Sequence, residues 1–176
     1  NMSSNVLLLS KLENQQIVSD KHELDLDEQI RRSILLLEKD WSEKEIDLDI
    51  DLDEIKINFN EEMLSHVWIN LISNAIKFTD HGGRIEITLK ERDGMAIFSI
   101  TDNGIGMSDE VKERIFEKFY QGDSSRATQG NGLGLPLVKR VIDIMQGEIG
   151  VESAIGVGTT FTVRIRRADY GLEEDR

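Results

Sequence analysis

The 176-residue chain contains no cysteine. Disulfides, thiolate metal sites and a cysteine nucleophile are therefore excluded, and nothing points to an oxidising compartment. Proline occurs once, at Pro136. No apolar run approaches the roughly 20 residues needed to span a bilayer, and no signal-peptide pattern opens the sequence. Positive charge is scarce: 21 Lys and Arg stand against 34 Asp and Glu, a formal net charge of -13. That excludes a general nucleic-acid surface, which needs clustered cations. A small phosphate ligand is still possible, because a few placed cations, backbone N–H groups and a metal ion can hold one locally. Glycine is missing from residues 1–81, while thirteen of the fourteen lie between Gly82 and Gly158. The first half should be regular elements. The second must carry turns and loops where the backbone approaches something closely.

Hydrophobic residues make up 39% of the chain, enough for the core of one ordinary domain. Residues 2–14 (MSSNVLLLSKLEN) read as the end of an apolar-faced helix and 15–25 as a polar link. Asp27 is expected to cap a helix running to about Lys39, with Ile30, Ile34, Leu36 and Leu37 inward. DLDIDLD over 47–53 marks a strand edge or an exposed loop, since no glycine-bearing calcium loop accompanies it. Ile55, Ile57 and Phe59 alternate as a short strand. Asn60 caps a long helix, 61–79, with Leu64, Val67, Trp68, Leu71 and Ala75 on one stripe. His66, Asn70, Asn74 and Lys77 form a second, polar stripe, which suggests a lined cavity. Residues 84–91 and 95–101 alternate as a hairpin turned at Asp93-Gly94. Ser108 caps a helix to about Lys118, and 120–131 reads as an aperiodic, mobile loop. A helix over 134–146 has Pro136 in its first turn and stops before Gly147. Residues 148–153 and 159–167 make a last strand pair. The order predicts an α+β fold: a mixed, mostly antiparallel sheet with helices on one face.

The common phosphate motifs are absent. There is no G-x-x-x-x-G-K-[ST], and GNGLGL at 130–135 lacks the last glycine of a dinucleotide fingerprint. The serine/threonine kinase set, the G-x-S-x-G elbow and H-E-x-x-H are missing too. A four-part constellation stands in their place. Asp102 ends an apolar strand, and its carboxylate suits an exocyclic amine such as that of adenine. Gly104 and Gly106 let the main chain pass close to a flat ring. Gly130, Gly132 and Gly134 lead into a helix N-terminus, where free N–H groups favour phosphate. Asn74 offers an amide oxygen to Mg²⁺ already on phosphates, and Lys77 can meet a phosphate oxygen.

Five segments resemble the boxes of histidine kinases, in family order. NLISNAIKFT (70–79) resembles the N box, DNGIGM (102–107) the first glycine box and IFEKFY (115–120) the F box. GNGLGLPLVK (130–139) resembles the second glycine box and GVGTTF (156–161) the G-T-x-F element. The resemblance implies the Bergerat fold shared with gyrase, the Hsp90 chaperones and MutL, a two-layer sandwich with a flexible ATP lid. It implies ATP and Mg²⁺ as ligands, with Asn74 on the metal and Asp102 on adenine. By position, Asn70 and Lys77 face the phosphates as the catalytic pair, and Gly104 and Gly106 line adenine. Gly132, Leu133, Gly134 and Leu135 bound the lid and approach the phosphates, and Thr160 lies near adenine. Phe116 and Phe119 tether the lid. Gln121 stands where many relatives carry an arginine, so the γ-phosphate's cation is expected from Lys118 or Arg126.

The same resemblance divides the chain into a remnant of a dimerisation hairpin (1–14), a linker (15–25), the ATP-binding domain (26–167) and a polar tail (168–176). The implied function is transfer of the γ-phosphoryl group to a histidine on that hairpin, and onward to a response regulator. The implied location is the cytoplasmic side of a membrane-anchored, homodimeric parent, with the fragment itself monomeric and bound to no nucleic acid. His22-Glu23-Leu24 is followed by Asp25-Leu26-Asp27 instead of a basic residue and proline, so His22 is not the expected acceptor. Two alternatives stand beside this reading: a nucleotide-binding regulatory module without transfer, and an anti-sigma-type protein-serine kinase. The resemblance also disfavours a hydrolytic ATPase: the hydrolytic members of the wider superfamily carry a glutamate base four residues before the metal asparagine, and here that position is Asn70, which has no useful basicity.

Overall fold

The computed structural model describes residues 7, 21–118 and 134–167. The helix expected over 2–14 (Leu7 apart), Phe119, the loop 120–131 with Arg126, Gly132, Leu133 and the tail 168–176 lie outside the described residues.

In chain order the elements are β1 (His22–Asp25), α1 (Leu26–Leu36), α2 (Glu38–Glu43), β2 (Asp47–Leu52), β3 (Lys56–Phe59) and α3 (Glu61–Phe78). Then come β4 (Arg84–Arg92), β5 (Met95–Asp102), α4 (Asp109–Arg114), α5 (Gly134–Ile144), β6 (Glu148–Ala154) and β7 (Gly158–Arg166). Five strands form one sheet in the order β2-β4-β5-β7-β6, and β1 pairs with β3 separately. Only β2 and β4 run parallel, so the sheet is mixed and mostly antiparallel, as the sequence predicts.

Strand alternation decides which face is covered. Ile85, Ile87 and Leu89 of β4, Ala96, Phe98 and Ile100 of β5, and Phe161, Val163 and Ile165 of β7 are all buried. They share one core with Ile30 and Ile34 of α1, the apolar stripe of α3, and Leu137, Val138, Val141 and Ile142 of α5. Trp68 of α3 packs against Phe98 of β5 with ring centroids 4.7 Å apart and the planes tilted by 47°. Each such fully buried side chain contributes about 1.5–3 kcal/mol by transfer from water. The indole N–H of Trp68 is not orphaned: it donates to Gln29 at 2.8 Å, and the Gln29 amide donates to the Glu61 carbonyl at 2.8 Å. The hairpin at Asp93-Gly94 has φ of 55 and 78 at its two central residues, as a type I′ turn requires. The carboxylates of β2, on the sheet's edge, are met by cations of β4. Arg84 reaches Asp47 and Asp49 at 2.8 Å each, and Lys90 reaches Asp51 at 2.7 Å. DLDIDLD is therefore an edge strand.

Four local expectations are corrected. The polar stretch 15–25 ends in a strand, because Leu24 turns into the core while β1 pairs with β3. Asp27 caps nothing: it lies inside α1, buried, and accepts from the Ile55 N–H at 3.2 Å and from Arg31 at 3.3 Å. The first helix stops at Leu36, where the Trp41 indole bonds the Ile34 carbonyl at 2.9 Å, and Leu36 is 70% exposed instead of inward. The helix capped by Ser108 ends at Arg114, short of Lys118. The stop before Gly147 holds, for a different reason. Gln146 takes the left-handed conformation (φ 61), and Gly147 is needed because a Cβ there would sit 2.5 Å from the Arg164 carbonyl.

Candidate functional site

The site is built at one end of the sheet, where α3, the loop after β5 and the start of α5 converge. Asn60 starts α3 by accepting from the Met63 N–H at 2.9 Å. From there the 3.6-residue period sets the apolar stripe on the sheet and brings His66, Asn70, Asn74 and Lys77 to a common, half-buried flank. A solvated face would be exposed, as Ser73 on the same helix is.

Asn70 is fixed from both sides. Its amide donates to the His66 carbonyl at 2.7 Å. Its side-chain oxygen lies 2.9 Å from where a Cβ on Gly134 would be, so any side chain on the first residue of α5 would push the Asn70 amide aside. Two expected site residues from segments far apart in sequence are thus in contact. Leu135, next along α5, packs half-buried against the core. Burial lowers the pKa of Lys77 from its ordinary value, and its ammonium stands 5.0 Å from the Phe78 ring centre. Burial also lowers that of His66, against a smaller opposing pull from Glu62. Such strain on charged forms is what a ligand-facing flank shows.

Asp102 ends β5 on the covered face of the sheet and is 7% exposed. Burial raises its pKa, while backbone N–H groups of Gly104 and Thr159 draw it back down. The Gly104 bond is 2.9 Å long. Asp102 and Thr159 stand opposite each other across β5 and β7, and both are buried. Thr160 faces the other way. Its hydroxyl meets that of Thr101 at 2.9 Å on the uncovered face, and the residue opposite Asp102 is Thr159. The signal was available: Thr159 has the parity of Phe161, Val163 and Ile165, and Thr160 does not.

Gly104 and Gly106 are held by the protein's own backbone. A Cβ on Gly104 would lie 2.1 Å from the Phe78 carbonyl, and one on Gly106 2.0 Å from that of Ala154. The loop between them is laced to its neighbours: Ile105 donates to Phe78 at 3.2 Å and accepts from Gly156 at 2.8 Å. Met107 donates to the Ser153 hydroxyl at 2.7 Å. Phe116 packs against the core, and Lys118 is exposed. The described residues contain no group of three or more His, Asp or Glu that could hold a metal. Asn74, a neutral oxygen donor, fits an ion that takes most of its ligands from phosphates and water.

Residues 59–169 match the family described as "Histidine kinase-, DNA gyrase B-, and HSP90-like ATPase". The heme sensor protein HssS of Staphylococcus saprophyticus is 36% identical over 162 residues, which are 92% of this chain and 35% of that protein. The chain thus spans about a third of the length of that relative. Among solved structures, the catalytic domain of histidine kinase ThkA is 29% identical with a TM-score of 0.76, over 86% of this chain and 98% of that one. Full-length ShkA in complex with AMPPNP is 30% identical with a TM-score of 0.81, over 93% of this chain and 35% of that one.

Proposed function

The chain belongs to the family of histidine kinase-, DNA gyrase B- and HSP90-like ATPases, and from that premise we propose that it is the catalytic domain of a sensor histidine kinase. It binds Mg²⁺-ATP and passes the γ-phosphoryl group to a histidine on a helical dimerisation hairpin. The observation that carries the reading is Asp102: a carboxylate buried at a strand end, anchored by two backbone N–H groups, with acceptor capacity left for an amine. Adenine presents such an amine, and guanine at that position does not.

Asp102, Thr159, Gly104 and Gly106 hold the base. Asn70, Lys77 and the start of α5 at Gly134 face the phosphates, with Lys118 as a further cation. The helix N-terminus contributes free N–H groups there. Asn74 would hold Mg²⁺ through its amide oxygen, and the ion would offset the charge of the phosphates. His22 is not the acceptor: it lies in a strand, paired with Phe59, and its Nε2 stands 3.3 Å from Glu61. The parent acts as a homodimer, hands the phosphoryl group to a response regulator, and carries this domain on the cytoplasmic side of a membrane. No described helix is long and apolar enough to cross one.

Labelled ATP and a purified histidine-bearing hairpin of a histidine kinase test the proposal. Acid-labile phosphate should appear on the hairpin with this chain and not with its Asn74→Ala variant. ATP binding without any transfer would favour the regulatory-module alternative.

A further inference from the structure

Lys44 lies in the turn between α2 and β2, outside every motif the sequence singles out. Its ammonium donates to three carbonyls at the C-terminal end of α3: Ile76 at 2.8 Å, Lys77 at 3.2 Å and Thr79 at 2.9 Å. A helix leaves its last carbonyls without intrahelical partners, and a cation there also meets the negative end of the helix dipole. The contact is reciprocal, since the Lys44 carbonyl accepts from the Gly82 N–H at 2.7 Å.

Two short routes lead from these carbonyls to the residues around Asp102. Phe78 lies between Lys77 and Thr79, and its carbonyl accepts from Ile105 and sets the clearance under Gly104. Thr79 leaves room only for a glycine at position 83, since a Cβ there would be 2.3 Å from its Cγ2. The next residue, Arg84, donates its N–H to the Asn103 side chain at 2.8 Å. Asn103 and Gly104 are the two residues that follow Asp102.

We propose that Lys44 is a positioning residue for the nucleotide: it pins the end of α3 and so sets the level of the 103–105 segment under the base. This rests on the nucleotide reading above. Lys44 touches no ligand itself. Its effect on binding should act on the base and be blind to the number of phosphates.

Calorimetry of this chain with Mg²⁺-ADP and with Mg²⁺-ATP tests this, using Lys44→Met, Lys44→Gln, Lys44→Arg and the exposed-site control Lys39→Met. Lys44→Met should weaken both nucleotides by the same factor, about fivefold, with Lys44→Gln intermediate and Lys44→Arg restored to within about twofold. Circular dichroism reports folding in each case, and Lys44→Gln, which keeps a donor, carries the test if Lys44→Met does not fold. Wild-type affinities in folded Lys44→Met or Lys44→Gln would overturn the proposal. So would a loss that grows from ADP to ATP, or one that arginine does not restore. A wild-type chain that binds neither nucleotide would overturn the functional reading and this proposal with it.

Discussion

Around Asp102 the exclusion of water raises the carboxyl's pKa, and the N–H groups of Gly104 and Thr159 only partly oppose it. A carboxyl whose folded pKa is raised contributes stability through its neutral form. That contribution is complete below the ordinary carboxylate range and is lost as pH rises through the raised value. An adenine amine demands the ionised form, so fold and ligand favour opposite protonation states. Asp102→Asn should therefore separate them: at pH 7 stability rises by up to about 1 kcal/mol, while ATP affinity falls about tenfold or more. Urea melts and calorimetry on one preparation check both signs, and a variant that lost stability and kept affinity would contradict the assignment. The neighbouring threonines make a second comparison. Thr159→Val should weaken nucleotide binding, and Thr160→Val, on the uncovered face, should leave it within error. Asp102 was legible in the sequence because it closes an apolar strand. Strand parity sets Thr159, and not Thr160, on the face of Asp102, Phe161 and Val163, a distinction that the G-T-x-F resemblance alone does not draw.

The glycine boxes were legible as loops of close approach, yet the sequence could not say what approaches. At Gly104 and Gly106 it is the end of α3 and the end of β6. Gly104→Ala should thus destabilise the ligand-free chain by about 2 kcal/mol or more, since the clash is with backbone and cannot rotate away. Thermal melts without nucleotide decide this. A ligand-free stability equal to wild type would mean that the glycine serves the base alone. Gly134 differs, because its neighbour is the Asn70 side chain. Alanine inside a helix is worth up to about 1 kcal/mol over glycine by propensity, and at Gly134 that gain opposes a 2.9 Å contact. Gly134→Ala should melt near wild type and still bind ATP more weakly, because the displaced group is Asn70. The elements misread were those whose cause is tertiary. β1 exists because β3 offers it a partner, and α1 ends because Trp41 folds back on Ile34. Neither contact has a local signature in the sequence.

For the whole molecule, the sheet and its covered face follow from alternation in β4, β5 and β7, which is why the fold is legible in the sequence. What the molecule does with ATP depends on one position that alternation cannot reach. Hydrolysis needs a base for water, and the residue one turn before Asn74 is Asn70, an amide without basicity near neutral pH. Its own N–H is committed to the His66 carbonyl at 2.7 Å. Glu61 and Glu62, the carboxylates of α3, lie in its first turn and are exposed. His66 is neutral near pH 7, because burial lowers its pKa. It sits about 6 Å further along the axis than Asn70 by the 1.5 Å helical rise, too far to share the place at the phosphates proposed for Asn70. General-base help is typically worth about 10²–10⁴-fold, and among the described residues α3 offers none beside Asn74. The chain should therefore bind ATP and hydrolyse it far below an ordinary turnover of about 10 s⁻¹. The γ-phosphoryl group is then kept for a side-chain acceptor, which brings its own nucleophile. A steady-state assay on purified protein measures this directly. Turnover near the ordinary value, abolished in Asn74→Ala and kept in His66→Ala, would place the chain among the hydrolytic branch of its family and remove the argument for transfer.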